Sequence, residues 1–206
     1  MDRIIKEISK MSGHYHAIDI FRDWVEMTAI SIGNQCYYNQ SLEDKYLGIA
    51  RKYSDKELLM LCEMSGILVA LFDEDIQDYL GAIYMGLNAG NKKTGQFFTP
   101  FHICELMAQT SLSEYKGEEI VVNEPSSGGG GNILACAKVL KEKGYNYQEK
   151  MKVVAQDLDF QCVYMSYVQF SICGLNAVVI QGDTLKNENN IKLYTPVYLL
   201  REGGVK

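Results

Sequence analysis

Apolar residues in the first ninety positions recur at three- and four-residue steps, the spacing that gathers side chains on one face of a helix. Ile18, Phe21, Val25, Thr28 and Ile32 make one such stripe, flanked by Trp24, and Leu42, Tyr46, Ile49 and Tyr53 make another. Ser54-Asp-Lys-Glu57 reads as a capping box. The Ser hydroxyl accepts from a free amide at the helix start while the Glu side chain reaches back. The helix it opens carries Leu58, Leu61, Cys62, Ser65, Leu68, Val69 and Phe72. A further helix is expected after Asp73, with Ile76, Tyr79, Leu80, Ile83 and Leu87 inward and Gly90 as its stop. With no strand pattern before Thr94, residues 1–90 are expected to form a small helical domain.

After Gly90 the period changes. Residues 119–124 are a short, mostly apolar run that ends in Pro125 and a glycine cluster. A helix is expected over 132–143, stopped by Gly144, then a strand over 152–157, a helix over 160–173 closed by Gly174, and a strand over 177–182. Strands alternating with helices of this length indicate βαβ units and a parallel sheet, so residues 91–206 are expected to form an α/β domain. Ligands of such sheets bind at the carboxyl ends of the strands.

Composition narrows the picture. The 206 residues are 47% hydrophobic and 22% charged, which excludes disorder and fibrous repeats. Twenty Lys and Arg against twenty-six Asp and Glu give a net charge of −6, which argues against unaided binding of naked nucleic acid. There is no signal-peptide core and no apolar run long enough to span a bilayer. The six cysteines form no CxxC, so they are expected to be reduced and mostly buried in a cytoplasmic protein, with Cys36 in a polar loop. His14, His16 and Asp19 are too few and too loosely spaced for a metal site.

The unusual residues cluster at the expected strand tips. Glu124-Pro-Ser-Ser-Gly128-Gly-Gly-Gly131-Asn132 places four glycines at a strand-to-helix junction, where a sharp turn and close backbone approach need them. Glu124 beside that turn would repel a phosphate and suit an ammonium. Asp157, with Asp159 after it, ends the second strand, where a carboxylate can accept from two ribose hydroxyls. Asp183 ends the third, followed by Thr184. Three acidic tips around a glycine turn describe a nucleoside site for a ligand with a cationic, amino-acid-like tail, which S-adenosylmethionine fits. In Gly95-Gln-Phe-Phe-Thr-Pro100, Thr99 can cap the next helix and Pro100 can take its first position.

In this order, GQFFTP, EPSSGGGG, AQDLD and GDTL resemble the methyltransferases that act on adenine N6 in DNA, most of all the modification subunits of type I restriction systems. The likeness covers roughly residues 94–185. It implies a partial Rossmann-like S-adenosylmethionine-dependent fold behind the helical domain. It also implies that Gln96, Phe97, Thr99 and Pro100 border the methionine end of the cofactor. Glu124, Ser126, Gly128 and Gly130 would line the methionine and ribose, Asp157 with Leu158 would hold the ribose, and Asp183 with Thr184 would meet the adenine. Asn132 departs from the family, which usually has an aromatic or apolar residue there.

The family's Asn-Pro-Pro-aromatic segment, which clamps the flipped adenine, does not occur in these 206 residues. The nearest candidate is Tyr194-Thr-Pro196-Val-Tyr198, which lacks the amide and the first proline. The resemblance therefore implies the helical part and the cofactor-binding half of a DNA methyltransferase, reaching DNA through a partner such as a specificity subunit or a second copy. The alternative is a non-catalytic cofactor-binding or regulatory subunit of a modification system. A nicotinamide-dependent dehydrogenase shares the βαβ frame but has no use for GQFFTP, and a clean GxGxxG is missing here. Residues 191–200, or another subunit, are expected to cover the outer edge of the first strand.

Overall fold

A computed structural model describes residues 1–88 and 97–203. Five helices come first: α1 (Asp2–Met11), α2 (Ala17–Cys36), α3 (Gln40–Ala50), α4 (Asp55–Glu74) and α5 (Tyr79–Asn88). After α6 (Phe101–Ser111) come β1 (Ile120–Glu124), α7 (Gly131–Glu142), α8 (Tyr147–Lys150), β2 (Met151–Asp157), α9 (Phe160–Cys173), β3 (Asn176–Gln181), β4 (Ile191–Tyr194) and α10 (Pro196–Glu202).

The capping box forms as its sequence requires: Ser54 Oγ accepts from the Glu57 amide at 3.4 Å and Glu57 Oε2 accepts from the Ser54 amide at 2.8 Å. The helix expected after Asp73 forms, but it starts later. The preceding helix, α4, continues through Asp73 to Glu74, the chain leaves helical geometry at Asp75, whose carboxylate accepts from the Ile76 amide at 2.8 Å, and α5 begins only at Tyr79. The α2 stripe is wider than expected. Ile20, Phe21, Trp24, Val25, Met27, Ala29 and Ile30 are buried, because α1, α3, α5 and α9 all pack on this helix. Cys36 belongs to the end of α2 rather than to a loop, and Cys62 is exposed, whereas Cys104, Cys162 and Cys173 are buried.

The sheet has the order β1-β2-β3-β4. β1, β2 and β3 are parallel, with Val122 opposite Val153 and Val153 opposite Ala177. β4 runs antiparallel on β3, with Gln181 opposite Ile191 and Val178 opposite Tyr194. The expected cover of β1 by residues 191–200 is therefore not found. The short 182–190 connection reverses the chain onto its nearest neighbour, whereas returning to β1 would take a crossover of about a dozen residues or more. Among the described residues β1 is left as an edge, with Val121 68% exposed. Thr195 closes the far end: fully buried, it caps α10, donates to the Leu175 carbonyl at 2.6 Å and accepts from the Ala177 amide at 3.1 Å.

One hydrophobic core runs through these elements. Ile133, Leu134, Ala137 and Leu140 of α7 and Met165, Val168 and Phe170 of α9 join Val153, Ala155, Ala177 and Val179 of the sheet. The same cluster includes Phe21, Trp24 and Leu80 from the helical region. Among the described residues no helix is long and apolar enough to cross a membrane.

Candidate functional site

Between β1 and α7 the chain turns through Glu124–Gly131 at the carboxyl end of the sheet. Gly130 is the N-cap of α7 with φ 95°, a left-handed conformation that disfavours any side chain. A Cβ there would sit 2.6 Å from the Phe170 ring, and one on Gly129 would sit 2.8 Å from Asp78 Oδ1. The protein's own side chains therefore already occupy the inner side of the glycine turn. Three polar groups of α9 and the turn support it from below. Ser166 Oγ donates to the Gly128 carbonyl at 2.8 Å, Gln169 Nε2 donates to the Gly129 carbonyl at 2.7 Å, and Ser127 Oγ lies 3.3 Å from Ser166 Oγ.

The three acidic strand tips come together around this turn, each held by local bonds. Glu124 Oε2 accepts from Asn132 Nδ2 at 2.9 Å, and its Oε1 accepts from the Ser126 amide at 3.3 Å. Asp157 Oδ2 accepts from the Gly128 amide at 2.9 Å and its Oδ1 from the Asp159 amide at 3.0 Å, so β2 and the glycine turn are pinned to each other. Asp183 Oδ1 accepts from the Leu185 and Lys186 amides at 3.0 and 3.3 Å. The Lys186 ammonium, 3.3 Å from Oδ2, is the main cause holding the Asp183 carboxyl below its ordinary range. Thr184 Oγ1 donates to the Pro125 carbonyl at 2.8 Å and so ties the third strand tip to the first.

Two cavities adjoin here and share Ser126. One, of about 200 Å³, is lined by Pro125, Asp157, Leu158, Asp183, Thr184 and Leu185. Leu158 and Leu185 are 64% and 98% exposed, an apolar rim suited to a planar base. The other, of about 80 Å³, lies under the glycine turn, between Asp78, Phe97–Thr99, Cys104 and Asn132. Burial, reinforced by the nearby Asp78 carboxylate, pushes the Cys104 thiol up to about 11, so it is no nucleophile at neutral pH.

Sequence reasoning missed several residues that build this site. Asp78 is buried and accepts from the Gly81 amide at 2.8 Å and from Gln169 Nε2 at 2.8 Å. Gln169, fully buried, also accepts from the Leu80 amide at 3.0 Å, so one amide ties α5, α9 and the glycine turn together. The available signal is the pair Ser166 and Gln169, three residues apart on one face of a mostly apolar helix. Phe98, not Phe97, packs inward: its ring stacks on Tyr84 at 5.4 Å, whereas Phe97 is 85% exposed at the cavity mouth.

Gln96 lies outside the described residues, as does Gly90. Thr99 does not cap α6; Pro100 occupies the N-cap position, and the Thr99 carbonyl accepts from the Cys104 thiol at 3.6 Å. Tyr194, Pro196 and Tyr198 are not brought to the carboxylates. Tyr194 pairs with Val178 near the amino end of β3, Pro196 is the first residue of α10, and the Tyr198 amide donates to Thr195 Oγ1.

The family model for N-6 DNA methylases matches residues 75–196, and the chain belongs to that family. The match begins within the α4–α5 link that holds Asp78 and spans both cavities. Among solved structures, the chain is similar to a Listeria monocytogenes protein assigned to the class I S-adenosylmethionine-dependent methyltransferases, at 14% identity and TM-score 0.48, over 82% of this chain and 55% of that one. It is also similar to the methyltransferase subunit of a Streptococcus thermophilus type I restriction-modification system, at 13% identity and TM-score 0.47, over 92% and 58%. The chain thus spans little more than half the length of either. No curated protein matches it.

Proposed function

We propose that this chain binds S-adenosylmethionine across the two adjoining cavities, as the cofactor-holding part of a DNA adenine-N6 methyltransferase. The observation that carries the reading is that Asp157 and Asp183 line one cavity, and that the adjoining one is bordered by the glycine turn and by Asn132, which Glu124 holds, all within the stretch that matches the family. The residues fit such a ligand. Asp157 spends one bond on each carboxylate oxygen, which leaves each a lone pair for a ribose hydroxyl. Leu158 and Leu185 flank the space for adenine, and Thr184 and Asp183 border it. Asn132 Oδ1 is buried with no partner and awaits a donor. Bound there, the cofactor would supply an electrophilic methyl group, and this chain's part would be to orient it.

Contact with DNA is assigned to a partner, either a specificity subunit or a second copy. The acidic net charge supports that division. The second reading, a cofactor-binding or regulatory subunit without catalysis of its own, is favoured by the distance in the fold between the Tyr194–Tyr198 segment and the carboxylates. Calorimetric titration with S-adenosylmethionine tests the binding claim. The wild type should bind, and Asp157→Ala should lose about tenfold or more, since a charge-assisted hydrogen bond to ribose contributes roughly 1.5–3 kcal/mol. Equal binding by both would remove Asp157 from the site. Labelled-methyl transfer to adenine-containing DNA, with and without partner subunits, separates the two readings.

A further inference from the structure

We propose that Asp78 and Asn132, rather than Glu124, form the subsite that takes the positively charged amine of the ligand's tail. This rests on reading the glycine-turn cavities as a site for S-adenosylmethionine, and it specifies which groups of the chain meet the tail.

Asp78 comes from the helical region yet lies under the glycine turn. Its position before α5 gives it an ordinary structural task, since the Gly81 amide donates to its side chain as to an N-cap. That task does not account for its surroundings. N-cap carboxylates usually sit in solvent, whereas Asp78 is 8% exposed and lines the 80 Å³ cavity. Both of its side-chain bonds end on Oδ1, from Gly81 and from Gln169. Oδ2 accepts no bond among the described residues, and Gly81, Gly129 and Gly131 approach it so closely that a Cβ on each would stand 2.1, 2.9 and 3.3 Å away. No Lys, Arg or His is among the described residues that line the cavity. A buried carboxylate with no cation nearby is driven towards its protonated form, and burial does push the Asp78 carboxyl up. A ligand cation would restore the balance.

Asn132 supplies the second acceptor. Its orientation is fixed, because Nδ2 must be the atom that donates to the Glu124 carboxylate at 2.9 Å. Oδ1 is then an acceptor, buried and unpartnered, on a residue that lines the same cavity. Glu124 is correspondingly engaged: one oxygen serves Asn132 and the other the Ser126 amide. Two unpartnered acceptors, one of them anionic, match a primary ammonium with its three donors. A cavity of this size admits such a group but not a whole amino-acid tail. The remainder of the tail would run past Ser126 towards the larger cavity.

The test compares two ligands on the full chain by calorimetry. S-adenosylhomocysteine carries the ammonium tail; 5′-deoxy-5′-methylthioadenosine keeps the nucleoside and the sulfur but has no tail. Wild type should bind both, the tailed ligand more tightly. Asp78→Asn keeps the acceptor for Gly81 and Gln169 and removes the charge. It should weaken S-adenosylhomocysteine by about tenfold or more while leaving the tail-less ligand within about twofold. Equal losses for both ligands would make Asp78 a support for the turn only, and no loss would exclude it; either overturns the proposal. If Asp78→Asn melts before titration, Asn132→Leu must show the same selective loss, and a non-selective result there overturns it as well. Wild type that binds the tail-less ligand but gains nothing from the tail refutes this subsite alone. Wild type that binds neither refutes the underlying site, and the subsite with it.

Discussion

Replacing Gln169 with Met tests whether one buried amide holds the helical region to the glycine turn. Met matches the length of Gln without its polar atoms. The change removes three bonds at once: from the Leu80 amide at 3.0 Å, to the Gly129 carbonyl at 2.7 Å and to Asp78 Oδ1 at 2.8 Å. Gln169 has no exposed surface, so water cannot replace them without opening the structure. A stranded buried peptide group costs about 1–3 kcal/mol, and two are stranded here. Loss of a donor to the Asp78 carboxylate adds to this, while the greater apolarity of Met gives some back. The expected net loss is about 3–5 kcal/mol, or a fall in melting temperature of roughly 6–20 °C for a chain of this size. Urea denaturation followed by circular dichroism measures it, with the m-value as a check that the unfolded state is unchanged. A loss below about 1 kcal/mol would show that Gln169 does not couple these elements and that α5 and the turn are held by apolar packing alone.

Three further outcomes follow from the same geometry. Gly130→Ala should destabilise the chain by about 2–4 kcal/mol and abolish ligand binding, because Ala is strained at φ 95° and its Cβ would meet Phe170; thermal melts and titration check this. Thr195→Val should cost about 1–3 kcal/mol in denaturant unfolding, since it leaves the buried Ala177 amide without its side-chain acceptor and α10 without its cap. The Asp78 carboxyl is raised in the fold by burial, so the native state holds its proton more tightly than the unfolded chain. Its contribution must therefore fall as pH rises from about 4, the unfolded value, through the higher folded one. Melting curves should show Asp78→Asn gaining on wild type over that rise; a constant difference would mean that Asp78 is not raised.

Much of this architecture is written locally in the chain. The α9 helix lies between Asp159 and Gly174, whose capping and left-handed geometry mark its two ends, and β2 and β3 sit within a residue of their apolar runs. The acidic tips were legible because strand direction puts every carboxyl end on one side. What was not legible depends on distant partners. The α4–α5 break is hidden because Ile76 keeps the apolar rhythm through a non-helical link. Asp78 reads as one more charge among the four acidic residues of 73–78, and only the glycine turn packed against it makes it a cavity wall. The pairing of β4 with β3 is not legible, because the chain's period says nothing of which edge a short strand joins. The glycines suggest room for a ligand, but Phe98, Asp78 and Phe170 take part of that room.

A crystal structure of the chain with S-adenosylhomocysteine would show the ligand's seat outright. The ribose hydroxyls should lie on Asp157, the adenine between Leu158 and Leu185, and the tail should pass Ser126 towards the glycine turn. Both cavities empty, or the ligand seated instead in the separate 370 Å³ cavity bordered by Tyr37, Tyr164 and Tyr194, would contradict this placement.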